Sequence, residues 1–408
     1  MQDHAPPPTG SHTSSSLLAA DDVLAVLPTG PRRRLFNLTP INQRRWNNFK
    51  ANRRGYWSFW IFMILFVLSL FAELLANDQP IMVSYKGQWL FPFLKDYPEE
   101  TFLGDQGFLP TTDFKQAIVR DAIKADGWML FAPIAFSAST RAQLPMMADL
   151  SRQMSAPTPP TWLLTDAQCR PLAEANGGAT CRDIEWNWLG TDDTGRDVLA
   201  RLIYGFRISV LFALLLTIAS SIIGVAAGAV QGFYGGWLDL IFQRVIEVVE
   251  SMPRLFLLII IASFFVQSFW TIYVIMLIFS WTALVGVVRA EFLRARNFDY
   301  VKAARALGLK DSTIMLRHVL PNAMVATITM VPFVVAGAVD SLTALDFLGL
   351  GMPPGSPSLG DLAKQANAAP QSWWLGLSAF MTVSVMLTLL VFVGEAVRDA
   401  FDPRKTFQ

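Results

Sequence analysis

The chain has 408 residues, of which 53% are hydrophobic and 16% charged, and its mean hydropathy of +0.38 is too high for an ordinary soluble protein. Lysine and arginine (33) balance aspartate and glutamate (32), so a formal charge of +1 argues against a generally nucleic-acid-binding surface. Two cysteines and three histidines are too few for a zinc or iron–sulfur framework. A polytopic membrane protein is the default reading.

About 20 apolar helical residues cross a hydrocarbon core. The first stretch that qualifies runs over 56–76, through IFMILFVLSLF. Upstream, from Pro28 to Gly55, stand Arg32, Arg33, Arg34, Arg44, Arg45, Lys50, Arg53 and Arg54 with no acidic residue, which holds this end in the cytoplasm. A signal peptide competes with that reading, but the apolar run is longer than an h-region and no small-x-small site follows at once. Further apolar runs at about 206–230, 238–266, 269–288, 323–345 and 374–397 predict six spans with both termini inside. The expected fold is an all-α polytopic membrane protein of six transmembrane helices with a periplasmic insertion between the first two.

The expected organisation begins with a disordered cytoplasmic tail over 1–36, a basic cytoplasmic segment over 37–55 and transmembrane helix 1 over 56–76. A periplasmic subdomain follows over 77–203, then the permease core over 204–398 with a cytoplasmic loop at 289–321, and a cytoplasmic C-terminus over 399–408. The insertion is polar, rich in Pro, Gly and Trp, and more acidic than basic. Its most polar stretch, 150–183, contains APTPP and EANGG and is expected to loop out of the subdomain core. Cys169 and Cys181 lie there, on the side where disulfides persist, so a bridge is expected, with two unpaired thiols the alternative.

Between spans four and five, Arg289 to Leu320 holds seven basic residues against three acidic ones, a cytoplasmic signature. Within it, NFDYVKAARALGLKDSTIMLRHVLPNA reads as two short helices around a glycine. Ala303, Ala304 and Leu307 form a small apolar strip at i, i+1 and i+4. Gly308 can end the first helix in the left-handed conformation, Asp311 can cap the second, and Pro321 closes it. Such a strip among basic flanks is most economically buried against another protein. A solvated connector is the alternative.

The order Ala303-Ala304, Gly308, His318-Val319-Leu320-Pro321 resembles the EAA loop of the membrane subunits of bacterial ATP-binding-cassette importers. In that family the loop docks into a groove of the ATPase subunit, so the resemblance implies coupling through Lys302, Ala303, Ala304, Leu307, Gly308, His318, Leu320 and Pro321. Lys302 replaces the family's usual Glu. The segment from Leu189 to Arg201 (LGTDDTGRDVLAR), the FLGLG run from Phe347 to Gly351 with Pro357 to Gly360, and the run from Gly394 to Arg404 (GEAVRDAFDPR) resemble the permeases of oligopeptide and dipeptide importers. Leu359 stands where Trp is usual and Leu342 where a Glu is usual. The resemblance covers about 189–404. Thr39 to Trp46, Asn52 to Ser58, Glu73 to Asp78 and Trp89 to Pro92 are similar to the second permease of the Yej-type importers for peptides and microcin C.

The family's periplasmic motif maps onto Gly190, Thr191, Asp192, Gly195, Arg196, Asp197 and Arg201. From the residues alone it reads as a capped helix start, with contact to a docking binding protein the alternative. Glu247, Glu250 and Arg254 surround Pro253 in span three, with Arg244–Glu247 and Glu250–Arg254 at helical pairing distance. Either they pair near the headgroups or they line an inner gate. Asp340, deep in span five, must face the path or a partner helix. Gly224, Gly228, Gly232, Gly235 and Gly236 allow close helix packing.

The sequence contains no GxxxxGK[ST], HExxH, CxxC or GxSxG. The resemblance therefore implies a bacterial inner-membrane transport subunit, not an enzyme, with no cofactor of its own. ATP and Mg would belong to a cytoplasmic ATPase, a homologous second permease would complete the path, and a periplasmic binding protein would deliver peptides. The other class open to such a chain is a membrane-anchored sensor or enzyme acting through the insertion, but 77–197 contains no histidine.

Overall fold

The computed structural model describes residues 39–402, except 105–106, 148 and 176–177. The tail expected over 1–36 and the last residues of the C-terminal run, Pro403 and Arg404, lie outside the described residues. A basic helix α1, Pro40–Ala51, precedes α2, Arg53–Leu70, whose first turn is capped by the Asn52 side chain accepting from the Gly55 N–H at 3.2 Å. The insertion then contributes strands β1, Met82–Tyr85, and β2, Gln88–Leu90, helix α3, Ala117–Asp126, strand β3, Gly127–Leu130, and helix α4, Asp166–Ala175.

The membrane core is α5, Val198–Tyr234; α6, Gly236–Ser251; α7, Arg254–Ala262; and α8, Phe269–Ala295, whose two pieces meet at Trp281. It continues through α9, Asp299–Ala306; α10, Leu320–Phe347; α11, Leu359–Ala368; and α12, Trp373–Phe401. Among the described residues, four rods are long and apolar enough to cross a membrane: α5, α8, α12 and the run Asp311–Phe347 that ends in α10. Two of the six expected spans differ. The first is helical over α2, with two arginines in its opening turn. The third, expected as one run over 238–266, is broken into α6 and α7, because Met252 and Pro253 are extended (ψ 138° and 111°) and Pro253 supplies no N–H to continue the helix.

The membrane core is all-α, whereas the insertion adds a three-stranded antiparallel sheet in the order β2-β1-β3. Lys86 and Gly87 both have positive φ and make the two-residue hairpin turn between β1 and β2. Val83 and Tyr85 point from β1 into a small core with Phe102, Phe114, Val119 and Ile123. The stretch 150–183 does not loop out as expected. Cys169 and Ala173 of α4 are fully buried, Thr158 and Thr161 nearly so, and Cys169 and Cys181 form a disulfide with a Cα–Cα distance of 5.1 Å. Thr158 is bonded to Thr191 and Thr161 to Asn187, which is how polar residues of this stretch can be packed.

Packing between the longest rods is set by glycine. A Cβ at Gly224, Gly228 or Gly232 of α5 would stand 2.5, 2.8 and 2.5 Å from the backbone oxygens of Trp281, Val285 and Arg289 of α8. Gly235 and Gly236 instead form the turn into α6. Gly55 of α2 seats against Ala396 of α12 in the same way, and Asn52 Nδ2 donates to Asp399 Oδ2 at 3.0 Å beside it. A central core joins α5, α7, α8, α10, α11 and α12 through Phe212, Leu258, Met276, Val339, Leu362 and Met386. Gly232→Val should therefore push α5 and α8 apart and cost about 1–3 kcal/mol or more. Gly286→Ala, on the open face of α8, should be neutral. Thermal unfolding of the purified variants checks both, and equal stability of the two would refute the close-packed seam.

Candidate coupling elbow and the clamp at the opposite end

α9 ends in a Schellman turn. Leu309 N–H donates to Ala304 O at 3.2 Å and Gly308 N–H to Arg305 O at 2.9 Å, while Gly308 takes φ +79°. No atom lies within 4 Å of a Cβ added at Gly308, so its backbone angle alone selects glycine there. The chain then turns into Asp311–Thr313, a six-residue π-helical turn over Ile314–Val319, and α10 without interruption.

Three expectations for this loop are corrected. Asp311 does not cap the second helix: Lys310 holds the cap position, and the Asp311 carboxylate meets Arg305 Nε at 3.4 Å. Pro321 does not close a helix: it follows the π turn at the head of α10, and the rod runs on through it. The apolar strip is divided. Ala304 turns inward against Val301, Ile314, Val319, Phe233 and Phe292, whereas Ala303 and Leu307 face outward, Leu307 81% exposed. Adjacent helical positions are about 100° apart, so one of the two alanines had to face the subunit's own core.

Lys302 is exposed and pairs within α9 to Asp299 at 3.3 Å, a contact worth little in water. Arg305 lies over the Phe233 ring at 5.0 Å. His318 and Leu320 are half-buried in the π turn and at the head of α10, and Asn322 Nδ2 donates to His318 O at 3.3 Å. The elbow is thus seated on the ends of α5, α8 and α10, with one apolar face left uncovered.

The motif from Gly190 to Arg201 gathers at the other end. Arg201, wholly buried, hydrogen-bonds the equally buried Asp192 through Nη1 and reaches Ser356 O at 2.8 Å and Asp361 Oδ2 at 3.1 Å through Nη2. Asp192 also accepts from the N–H groups of Thr194 and Arg196 at 2.9 and 2.8 Å. Burial raises its pKa, but the Arg196 N–H and the Arg201 charge outweigh this and hold it below the ordinary carboxylate value. Arg196 Nη1 reaches Gly355 O at 2.7 Å, and Trp374 Nε1 donates to Thr191 O at 3.4 Å. Gly190, at φ +72°, lies so close to Thr158 O that a Cβ would stand 2.5 Å away. Gly195, the remaining glycine of the motif, makes the turn before Arg196 and accepts from the Ala142 N–H at 2.8 Å.

Asp197 caps α5 by accepting the Ala200 N–H at 2.7 Å, while its Oδ2 is buried without a hydrogen-bond partner among the described residues. Burial pushes its pKa up to about 7, against the capped N–H groups. These contacts favour the structural reading of the motif. Asp361, Asp346, Ser358 and Trp374 complete the clamp. Sequence reasoning missed their roles, because only tertiary contact brings them to Arg201 and Thr191. Leu342 and Leu359, which stand in the place of the family's Glu and Trp, are both fully buried in the apolar core.

Of the residues expected to line a path or gate, Glu247, Glu250 and Asp340 are all exposed on this subunit. Arg244 and Glu247 pair at 2.5 Å. Glu250 and Arg254 do not form an ion pair among the described residues, since the break at Pro253 takes them out of helical register, and Arg254 Nη2 instead reaches Ser280 Oγ at 2.9 Å.

Residues 220–407 match a family model described as the binding-protein-dependent transport system inner membrane component. The chain is 57% identical over 380 residues to the peptidoglycan transport system permease protein YejE of Agrobacterium fabrum, covering 93% of this chain and 96% of that protein. It is 50% identical over 368 residues to the inner membrane ABC transporter permease protein YejE of Escherichia coli, covering 90% and 98%. The dipeptide transport system permease protein DppC of Haemophilus influenzae is 33% identical over 218 residues, 53% of this chain and 74% of that protein. An inward-facing crystal form of the MetNI methionine ABC transporter matches 50% of this chain and 97% of its own at 15% identity and a TM-score of 0.44, a distant likeness.

Removing the charge of Arg201 alone strands Asp192, so Arg201→Met should destabilise by about 3–5 kcal/mol, whereas Arg201→Met with Asp192→Asn should recover part of that loss. A double-mutant cycle by thermal unfolding measures the coupling, and strictly additive effects would remove the clamp. Asp197 has the opposite sign from a paired carboxylate. Its folded pKa, about 7, lies above the unfolded value of 3.8, so its contribution to stability is complete below the unfolded value and is lost as pH rises through 7. Unfolding temperature should fall between mildly acid and mildly alkaline pH, and Asp197→Asn, which keeps a capping oxygen, should flatten that fall. An unchanged profile would show that Asp197 titrates normally.

Proposed function

We infer the working role of this chain from its family, since it belongs to the inner-membrane permeases of binding-protein-dependent transport systems and, among them, to the Yej-type permeases. It is a multi-pass membrane subunit of an ATP-driven importer. It works with an ATPase, a substrate-binding protein and a second permease. Near-full-length likeness to two permeases leaves the sensor or enzyme alternative without support.

In this reading the second permease is a homologue that forms a heterodimer with this chain, and each supplies half of the path across the bilayer. Both termini and the elbow face the cytoplasm in this reading, in keeping with the excess of Arg and Lys in 28–55 and 289–320. The inserted subdomain faces the periplasm, where the disulfide persists. ATP and Mg bind to the partner ATPase, and this chain holds no cofactor. Cargo is peptides or peptide-like compounds, in keeping with relatives named for peptidoglycan and dipeptide transport.

The observation that carries the coupling role is the exposed apolar face of the elbow, Ala303 and Leu307, on a body continuous with α10. An ATPase that grips this face differently in its open and closed states would move α10 as a rod. Equal grip in both states would shift nothing. Lys302, at the edge of the face, offers a positive charge where the family offers a negative one.

Excising the elbow would also remove Ala304, Ile314 and Val319 from the subunit's own core, so a surface change is the cleaner test. Leu307→Glu should leave co-purification of the second permease intact and lose the ATPase from a detergent pull-down read by mass spectrometry. Gly308→Pro, which cannot reach φ +79°, should abolish binding-protein-stimulated ATP hydrolysis. An ATPase retained at full yield by Leu307→Glu would move the docking site elsewhere.

A further inference from the structure

A cavity of about 260 Å³ opens within the membrane core between α5, α7, α8 and α10. Its walls are mostly apolar, with four exceptions: Ser220, Ser280, Ser341 and the guanidinium of Arg254. Ser220 and Ser280 lie near the middle of α5 and α8, so the cavity is at membrane depth. Arg254 reaches it because Pro253 breaks the helix and frees residue 254 from the register of Glu250.

Arg254 is exposed on this subunit, and Glu250 acts on its charge only from beyond ion-pair contact. Arg254 Nη2 donates to Ser280 Oγ at 2.9 Å, and Ser280 passes its own hydrogen to Met276 O at 2.6 Å. Among the described residues no carboxylate comes within ion-pair distance of Arg254. A guanidinium carries five N–H donors, so four remain for a ligand. An arginine at membrane depth that is exposed on its own subunit must face the path or a partner helix and not lipid, so its free N–H groups are open to an anionic visitor. The cavity is not sealed, since a Cβ at Gly337 on its α10 wall would meet nothing within 4 Å and the neighbouring Asp340 is exposed.

We propose that Arg254, with Ser220, Ser280 and Ser341, forms a membrane-embedded subsite that takes a carboxylate of the cargo during its passage. The inference rests on the transport role above and deepens it. The volume is several times the ~30 Å³ share of a water molecule and suits a carboxylate with its adjoining carbons. Arg254 would therefore grip one end of a peptide while the rest stays in the wider path. Asp340, outside the cavity on the same helix, would disfavour a second negative group alongside.

The test uses the assembled importer, purified without nucleotide, with Ser341→Cys in this chain. The two native cysteines are already bridged, so the introduced thiol is the free one on this subunit. Its rate of modification is compared for a sulfonate-bearing and a trimethylammonium-bearing methanethiosulfonate. With Arg254 present the anionic reagent should be favoured on the order of tenfold relative to its preference for a small free thiol. Arg254→Met should erase the preference and Arg254→Lys should keep it. Tri-alanine should slow the anionic reagent at least about twofold while its C-terminal amide does not, the difference expected of a site that pairs with charge.

A preference unchanged in Arg254→Met, equal protection by the acid and the amide, or an introduced thiol that neither reagent reaches because the partner permease covers it would each overturn the subsite. Failure of the transport role is read separately, as a purified complex that lacks an ATPase or fails to take up tri-alanine in vesicles. The charge preference of the thiol does not depend on that result.

Discussion

Arg201 is the constraint around which one end of the subunit is organised. A guanidinium with no access to water must find its counter-charge and acceptors within the protein, and here they come from three separate pieces of chain: Asp192, Ser356 and Asp361. Losing any one leaves a buried charge partly unmatched, a far larger penalty than a surface pair carries. The start of α5, the turn after α10 and the head of α11 are thereby fixed to one another. Asp346 extends the same body into α10, accepting from Ser358 Oγ at 2.5 Å and from the Met352 N–H at 2.7 Å. The inserted subdomain joins it through Thr158, whose N–H donates to Thr191 Oγ1 at 2.8 Å.

From that anchored end the rod runs without interruption to the elbow. A helix break near Pro321 would have made a joint that absorbs force. The π turn over 314–319 keeps the helix going and sets Ile314 and Val319 into the same core as Ala304. Displacing the elbow therefore means displacing α10 or losing that core. The glycine seam has a parallel effect between α5 and α8, where backbones lie too close for one helix to slide past the other without lifting. Rigidity between the two ends has a functional consequence. In the coupling role proposed above, packed interfaces of this kind, being bistable, would pass a difference in grip on the elbow to the whole body.

The sequence made some of this legible and withheld the rest for identifiable reasons. Long apolar runs mark α5, α8, α10 and α12 because hydrocarbon demands them, and the basic loop marks itself by charge. Gly308 could be placed at a helix end, since a glycine after an alanine-rich helix has few other uses. Local pattern could not assign Ala304 inward and Ala303 outward, because the strip is short and both neighbours are small. Nor could it see that 150–183 is packed. Polar composition suggests a loop, and only the partners of Thr158 and Thr161 and the burial of Cys169 show otherwise. The roles of Asp361, Asp346 and Trp374 in the clamp depend on contacts across more than a hundred residues or on the fold of a turn, which no spacing records.

Arg201 and Arg254 set out a contrast that locates function within the fold. Both are arginines at helix starts, one wholly buried in the first turn of α5 and the other exposed on this subunit at the first residue of α7. Arg201 has two carboxylates and a carbonyl on its two Nη atoms and is wholly buried, with only its Nε left without a hydrogen-bond partner among the described residues. Arg254 has one serine hydroxyl and faces open space. Stability explains the first arrangement, which ties three pieces of chain together, whereas the second leaves a cation on the cavity wall with no carboxylate in ion-pair contact among the described residues. In the proposed subsite that charge answers to an anionic group as it passes. The proline that breaks the third expected span is then part of the same device. It removes Arg254 from Glu250, and an arginine already paired to its own helix could not answer to cargo.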